Sequence, residues 1–190
     1  IGINDLDSDE HLTAFVDRVA SAGANRFSVH ARKAWLEGLD PKQNRTIPPL
    51  QHDRVQALKQ RRPHLTIELN GGLESPEDCL EALVHCDGAM VGRAAYAHPL
   101  RWAPMDNLVF GEPPRKVLAS DVVTGLVPHA SAHLSRGGRL WDLCRHLVQL
   151  VEGVRGARHW RRELGARAQR PGADLTVLEE AGRQLRDAGL

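Results

Sequence analysis

No stretch of this 190-residue sequence approaches the roughly 18 consecutive apolar residues that a membrane-spanning helix needs. The opening residues carry neither a basic presequence nor an apolar leader, so a cytoplasmic protein with no membrane partner is expected. Cysteine is scarce. Cys79, Cys86 and Cys144 are an odd number, and no two are spaced as CxxC. That excludes a disulfide framework and speaks against a structural zinc site, so buried thiols in a reducing compartment and no metal are expected. Internal repeats and low-complexity tracts are absent as well.

What is present suffices for a packed core: 42% of the residues are apolar. The net charge is only +1, but its distribution is uneven. Residues 1–112 hold 12 Lys/Arg against 16 Asp/Glu, and residues 113–190 hold 13 against 8. A basic second part suggests a polyanionic partner, although a solvated helical surface accounts for the same count. The chain opens on "IGIND", an apolar tail running into acidic turn residues, which reads as the end of a strand whose beginning lies elsewhere. The expectation is therefore the C-terminal part of a longer protein.

Asp7 to Ala22 reads as a helix, with Asp7 and Glu10 spaced as a capping box and Leu12, Phe15, Val16 and Val19 at helical intervals. Arg26–His30 reads as a strand. The loop 31–50 follows, rich in Gly, Pro, Asn and charge. Asp53–Arg62 is a second helix stopped by Pro63, and Leu65–Leu69 is a second strand running into Asn70-Gly71-Gly72. Ser75-Pro76-Glu77-Asp78 combines a cap, a first-turn proline and two acids that suit the helix dipole. Gly88–Val91 is a third strand ending at Gly92-Arg93. Helix and strand alternate, which implies parallel strands joined by crossovers, in a doubly wound sheet or a (β/α)8 barrel. After Phe110-Gly111 the segment "GEPPRK" reads as a linker, and no strand follows. Leu140–Val151 is amphipathic, Arg158–Ala168 is a basic helix, and Leu175–Leu185 is a helix with Thr176 and Glu179 as a capping box. Two domains are expected, 1–112 and 113–190.

Each strand ends in chemically loaded residues: His30 and Arg32, then Asn70-Gly71-Gly72, then Gly92-Arg93. Ligands of α/β folds sit at the carboxyl ends of strands. Paired glycines let backbone N–H groups approach an anion, and an arginine supplies a charged fork. Either glycine motif alone is compatible with a plain tight turn; both on consecutive strands favour a phosphate site. His30 is a candidate ligand contact or a satisfied structural histidine. A second constellation is "RGARHWRRELGARAQR", where Arg155, Arg158, Arg161, Arg162, Arg167 and Arg170 face the single acid Glu163. Arg158, Arg161 and Arg162 share one helical face. Arginine forks suit phosphates and aromatics stack on bases, with His159 and Trp160 interleaved. The alternative for Trp160 is a core anchor.

The runs "SVHARKAWLEGLDPKQNRTIPPL", "TIELNGGL" and "GAMVGRAAYAHP" resemble the tRNA-dihydrouridine synthases, in particular their A-type branch. "CRHLVQLVEGVRGARHWRREL" is similar to that branch's C-terminal RNA-binding helices. The resemblance implies the C-terminal part of a (β/α)8 TIM barrel, namely its last three strands with Ile1–Ile3 as the tail of the fifth, followed by an all-helical RNA-binding domain. It implies FMN at the barrel mouth, NADPH as reductant, and reduction of tRNA D-loop uridines 20 and 20a to dihydrouridine by a protein that is monomeric when full length. His30 matches a histidine that contacts FMN. Asn70, Gly71 and Gly72 match one half of a phosphate grip, and Gly92 and Arg93 match the other. Lys42 and Arg45 lie in the loop that meets tRNA, and Arg158 and Arg161 match arginines that orient it.

The family's catalytic cysteine sits in an "NxGCP"-like loop on an earlier strand, and this sequence has none. Nor does it have the lysine expected just before Ile1. Cys79, Cys86 and Cys144 lie on or beside helices, so no catalytic residue is assigned and the chain alone is expected to be inactive. Two other readings remain: a non-catalytic tRNA- or RNA-binding fragment acting through 113–190, and a different flavin or phosphate-binding barrel.

Overall fold

The computed structural model describes residues 1–154 and 156–190. The chain divides into two compact units, Ile1–Gly92 and Arg93–Leu190.

In the first unit, helix α1 spans Asp9–Ser21. Its cap is Ser8, whose hydroxyl accepts from the His11 N–H at 3.1 Å. The sequence pointed to Asp7 instead, but the Asp7 carboxylate is bound by Lys33 Nζ at 2.7 Å. An oxygen held by a lysine is not available to a helix end. Strand β1 (Arg26–His30) follows, then α2 (His52–Arg61), β2 (Thr66–Asn70), α3 (Pro76–His85) and β3 (Gly88–Met90). α2 stops as Arg62 leaves helical geometry before Pro63, the usual effect of a proline on the residue preceding it. α3 begins as the sequence dictates. Ser75 Oγ accepts from the Asp78 N–H at 3.1 Å, and the Asp78 carboxylate accepts from the Ser75 N–H at 2.9 Å.

The three strands form a parallel sheet in the order β1-β2-β3. Ile67 and Leu69 of β2 are fully buried, while Thr66, Glu68 and Asn70 between them are half-buried. This period of two is what a strand with one apolar face requires. Val55 and Leu58 of α2, Val16 of α1, and Cys79 and Ala82 of α3 are buried with them. Ile3 makes a parallel bridge to Ala34, just beyond β1.

The second unit is helical. It contains α4 (Arg93–Ala97), a 3-10 turn at Pro99–Trp102, α5 (Met105–Phe110), α6 (Ala119–Ser135), α7 (Leu140–Leu147), α8 (Ala157–Ala168) and α9 (Leu175–Asp187). Its core gathers Val123, Leu140, Cys144, Leu147, Trp160, Leu164, Leu178 and Leu185. The unit starts at Arg93 rather than at the expected 112/113 boundary for identifiable reasons. Tyr96 Oη and His146 Nδ1 are 2.9 Å apart, His98 Nδ1 lies 2.5 Å from a Glu152 carboxylate oxygen, and Leu100 packs on the helical core. α7 ends at Leu147, short of the expected Val151. α9 is capped by Asp174, which accepts from the Thr176 N–H at 3.0 Å, rather than through a box at Thr176 and Glu179. Among the described residues no helix is long and apolar enough to cross a membrane.

Candidate functional site

The ends of β1 and β2 converge on one turn. His30 and Asn70 are register partners across the parallel pair. The Ala31 N–H donates to the Asn70 carbonyl at 2.8 Å, and the Gln51 N–H donates to the Ala31 carbonyl at 2.8 Å. The first residue of α2 closes the circuit, with His52 Nε2 2.7 Å from the Gly71 carbonyl oxygen. Gly71 and Gly72 follow with φ of 113° and 73°, conformations that L side chains rarely adopt. Neighbouring side chains also crowd the positions where a Cβ would stand. A Cβ on Gly71 would meet Leu50 Cδ2 at 3.2 Å and His30 Cε1 at 3.3 Å, and one on Gly72 would meet Leu50 Cδ1 at 2.3 Å. The turn is thus a backbone surface shaped by His30 on one side and Leu50 on the other. Gly92, two residues past β3, has open space where a Cβ would stand. Arg93 opens α4 in the second unit.

The loop 31–50 is built around Asn44. Its Oδ1 accepts from the Trp35 N–H and its Nδ2 donates to the Trp35 carbonyl, each at 2.7 Å. This organises the 3-10 turn Gln43–Arg45, which Lys42 caps, and both Lys42 and Arg45 are exposed there. Arg32 lies two residues past the end of β1. Its guanidinium donates to the Pro48 carbonyl inside the same loop, so it staples the loop rather than facing outward.

In the helical unit, Arg158, His159, Arg161 and Arg162 line a hollow of about 560 Å³ at the start of α8, together with Gly153 and Val154. Arg158 and Arg162 are exposed and Arg161 is half-buried. Arg162 Nε lies 3.2 Å from Glu163, and Arg167 pairs across to Glu180 of α9 at 2.6 Å, away from the hollow. Arg155 lies outside the described residues. Trp160 is a core residue: it is buried, and its indole N–H donates to the Leu147 carbonyl at 3.1 Å. It therefore stacks on no base, which settles the two alternatives left open for it.

All three cysteines are free and buried. Burial pushes the thiols of Cys79 and Cys86 up, helped by Asp78 and Asp87 beside them, and pushes Cys144 up to about 11. A thiolate is the reactive form, so these are poor nucleophiles and poor ligands.

Residues 1–185 match the family model described as dihydrouridine synthase. The chain belongs to the dihydrouridine synthase family. Within it, a protein of Shewanella oneidensis named tRNA-dihydrouridine(20/20a) synthase is 45% identical over 181 residues, 95% of this chain and 54% of its own length. Proteins of the same name from Salmonella typhimurium and Vibrio cholerae are 45% and 46% identical, over 98% and 95% of this chain and 57% and 56% of theirs. The chain thus spans a little over half the length of these synthases. The strand-end residues of this chain fall into two groups. His30, Asn70, Gly71 and Gly72 are brought together in the first unit. Gly92 and Arg93 straddle the division between units. Two contributors were missed from sequence: His52, because the helix was expected to begin one residue later, and Asn44, because its double clamp on Trp35 is long-range enough to leave no local pattern.

Proposed function

We propose that this chain is the flavin-phosphate and tRNA-binding part of a synthase that reduces D-loop uridines 20 and 20a to 5,6-dihydrouridine, with NADPH as reductant. The reading is supported by the names of its relatives and, above all, by one observation: Gly71 and Gly72 hold successive left-handed backbone conformations at the strand end, with His30 packed beside Gly71. Backbone of this kind suits a phosphate oxygen. His30, Asn70, Gly71 and Gly72 would hold FMN on this side, and Gly92 and Arg93 would supply the remainder of the grip. The chemistry a bound FMN supplies is hydride transfer to the uracil ring. The three strands form the last part of a (β/α)8 barrel in this reading, and the full-length protein is a cytoplasmic monomer.

The residues of this chain bind and orient. Lys42 and Arg45 meet the tRNA backbone from the loop after β1. Arg158 and Arg161 meet it from α8, where planar guanidinium forks match phosphate. Saturating uracil also requires a proton donor at the second ring carbon. The buried cysteines of this chain are poorly placed for that, which favours a second reading for the chain taken alone: a tRNA-binding polypeptide that does not turn over.

The test is visible absorbance after the purified chain is mixed with excess FMN and desalted, followed by tRNA retention at two salt concentrations. Retained flavin near one equivalent supports the cradle, and salt-sensitive retention of tRNA supports the arginine face. A colourless protein that still holds tRNA leaves only the second reading. Dihydrouridine formed by the 190-residue chain itself would overturn the assignment of inactivity.

A further inference from the structure

We infer that His52 is a positioning residue that aims the Gly72 N–H into the phosphate cradle; the assignment of that cradle to FMN rests on the function proposed above. His52 is the first residue of α2, and its Nε2 lies 2.7 Å from the Gly71 carbonyl oxygen. The peptide between Gly71 and Gly72 is planar and trans, so its carbonyl oxygen and its N–H point in opposite directions. Fixing the oxygen therefore fixes the N–H. Glycine makes such a clamp necessary. With no Cβ at either residue, this peptide plane has more rotational freedom than any other in the chain segment, and φ values of 113° and 73° leave it no side-chain barrier of its own.

The clamp is itself held from behind. The Gln51 N–H donates to the Ala31 carbonyl, and the Ala31 N–H donates to the Asn70 carbonyl, each at 2.8 Å. His52 thus completes a ring of backbone contacts joining the start of α2 to the ends of β1 and β2. Leu50, two residues earlier, packs its side chain beside Gly71 and Gly72. A donor on the carbonyl also polarises the peptide, which makes the opposite N–H a stronger donor to an anion. The neutral ring with hydrogen on Nε2 serves this role, and so does the imidazolium.

The experiment compares the 190-residue chain with its His52→Phe and His52→Gln variants by two readouts. The first is the nitrogen-relaxation order parameter of the Gly72 amide, which reports motion of the peptide plane and needs no ligand. The second is the ratio of FMN to riboflavin affinity, which isolates the phosphate. His52→Phe is expected to lower the Gly72 order parameter and to lower the FMN preference roughly three- to tenfold, the worth of one oriented hydrogen bond. His52→Gln, whose amide N–H reaches the same position, is expected to restore both. An unchanged Gly72 order parameter in His52→Phe overturns the inference, as does a Gln variant that behaves like Phe. Should His52→Phe fail to fold, the Gly72 order parameter in His52→Gln against His52→Asn, too short to reach, decides the same point. A wild-type chain that prefers FMN no more than riboflavin overturns the flavin assignment, and the Gly72 order parameter then decides the role of His52 alone.

Discussion

Asn44 holds Trp35 on both sides of its backbone, accepting from its N–H and donating to its carbonyl at 2.7 Å each. One side chain thereby imitates a strand partner across nine residues and makes the loop a defined platform for Lys42 and Arg45. Asn44→Ala removes both bonds. The expected cost is roughly 1–2 kcal/mol in the local opening free energy of residues 35–46, measured by hydrogen exchange. The global unfolding midpoint should move little, because the contacts lie outside the buried core. If the loop reads tRNA, retention should fall together with this local stability.

Trp160 is the reverse case, a residue whose chemistry suggested a surface role and whose position is structural. Trp160→Ala removes a buried indole and orphans the Leu147 carbonyl, so the helical unit should lose about 3–5 kcal/mol of stability by denaturant titration. Trp160→Phe keeps most of the apolar volume and should lose less. An indole held out for stacking would instead give near-normal stability and weakened RNA binding, a pattern that contradicts the core assignment.

The legibility of this chain follows the range of the interactions. α3 could be read because its start is encoded within four residues, Ser75 to Asp78, that satisfy one another. The strands could be read because Ile67 and Leu69 alternate with polar neighbours. α6 gave no signal. Gly125 and Pro128 lie inside it, and it survives because Val123 and Ala130 are buried against the other helices of its unit. Asp7 and Trp160 each carried a plausible local role that a distant partner displaced: Lys33 and the Leu147 carbonyl. The glycine turn was legible as a turn, whereas the histidine that aims it was not, since nothing local connects residues 52 and 71.

The acid sensitivity of the first unit has a direction fixed by its ion pairs. Hydrogen bonding to Arg62 holds the Asp17 carboxyl below its ordinary 3.8, and Arg54 and Arg61 do the same for Asp9. A carboxyl depressed in the folded state binds fewer protons there than in the unfolded chain. Its stabilisation is therefore complete above pH 3.8 and is lost as pH falls through the folded value. The unfolding midpoint of the first unit should hold steady from neutrality to about pH 4 and decline below it. Asp17→Asn should flatten that decline while lowering the plateau; an unchanged acid slope would show that the Arg62–Asp17 pair contributes nothing to it.

The thiols offer a separate check on packing. With Cys144 pushed up to about 11 and all three sulfurs buried, the native chain should react with iodoacetamide at pH 8 far more slowly than a free thiol does. Full labelling is expected only in denaturant. Rapid labelling of Cys79 or Cys86 in native buffer would mean that α3 opens readily from the sheet.

In the proposed reading flavin and tRNA meet different residues, so the two losses should separate. Arg93→Ala should weaken flavin retention and leave tRNA affinity nearly intact. Arg158→Ala should spare flavin and weaken tRNA, and the slope of log affinity against log salt should become shallower by about one, the signature of one lost phosphate contact. Arg161 is half-buried where Arg158 is exposed, so Arg161→Ala should add a small loss of thermal stability that Arg158→Ala lacks. Equal effects of Arg93→Ala and Arg158→Ala on both ligands would refute the assignment of flavin to the strand ends and of tRNA to α8, because two independent sites cannot respond as one.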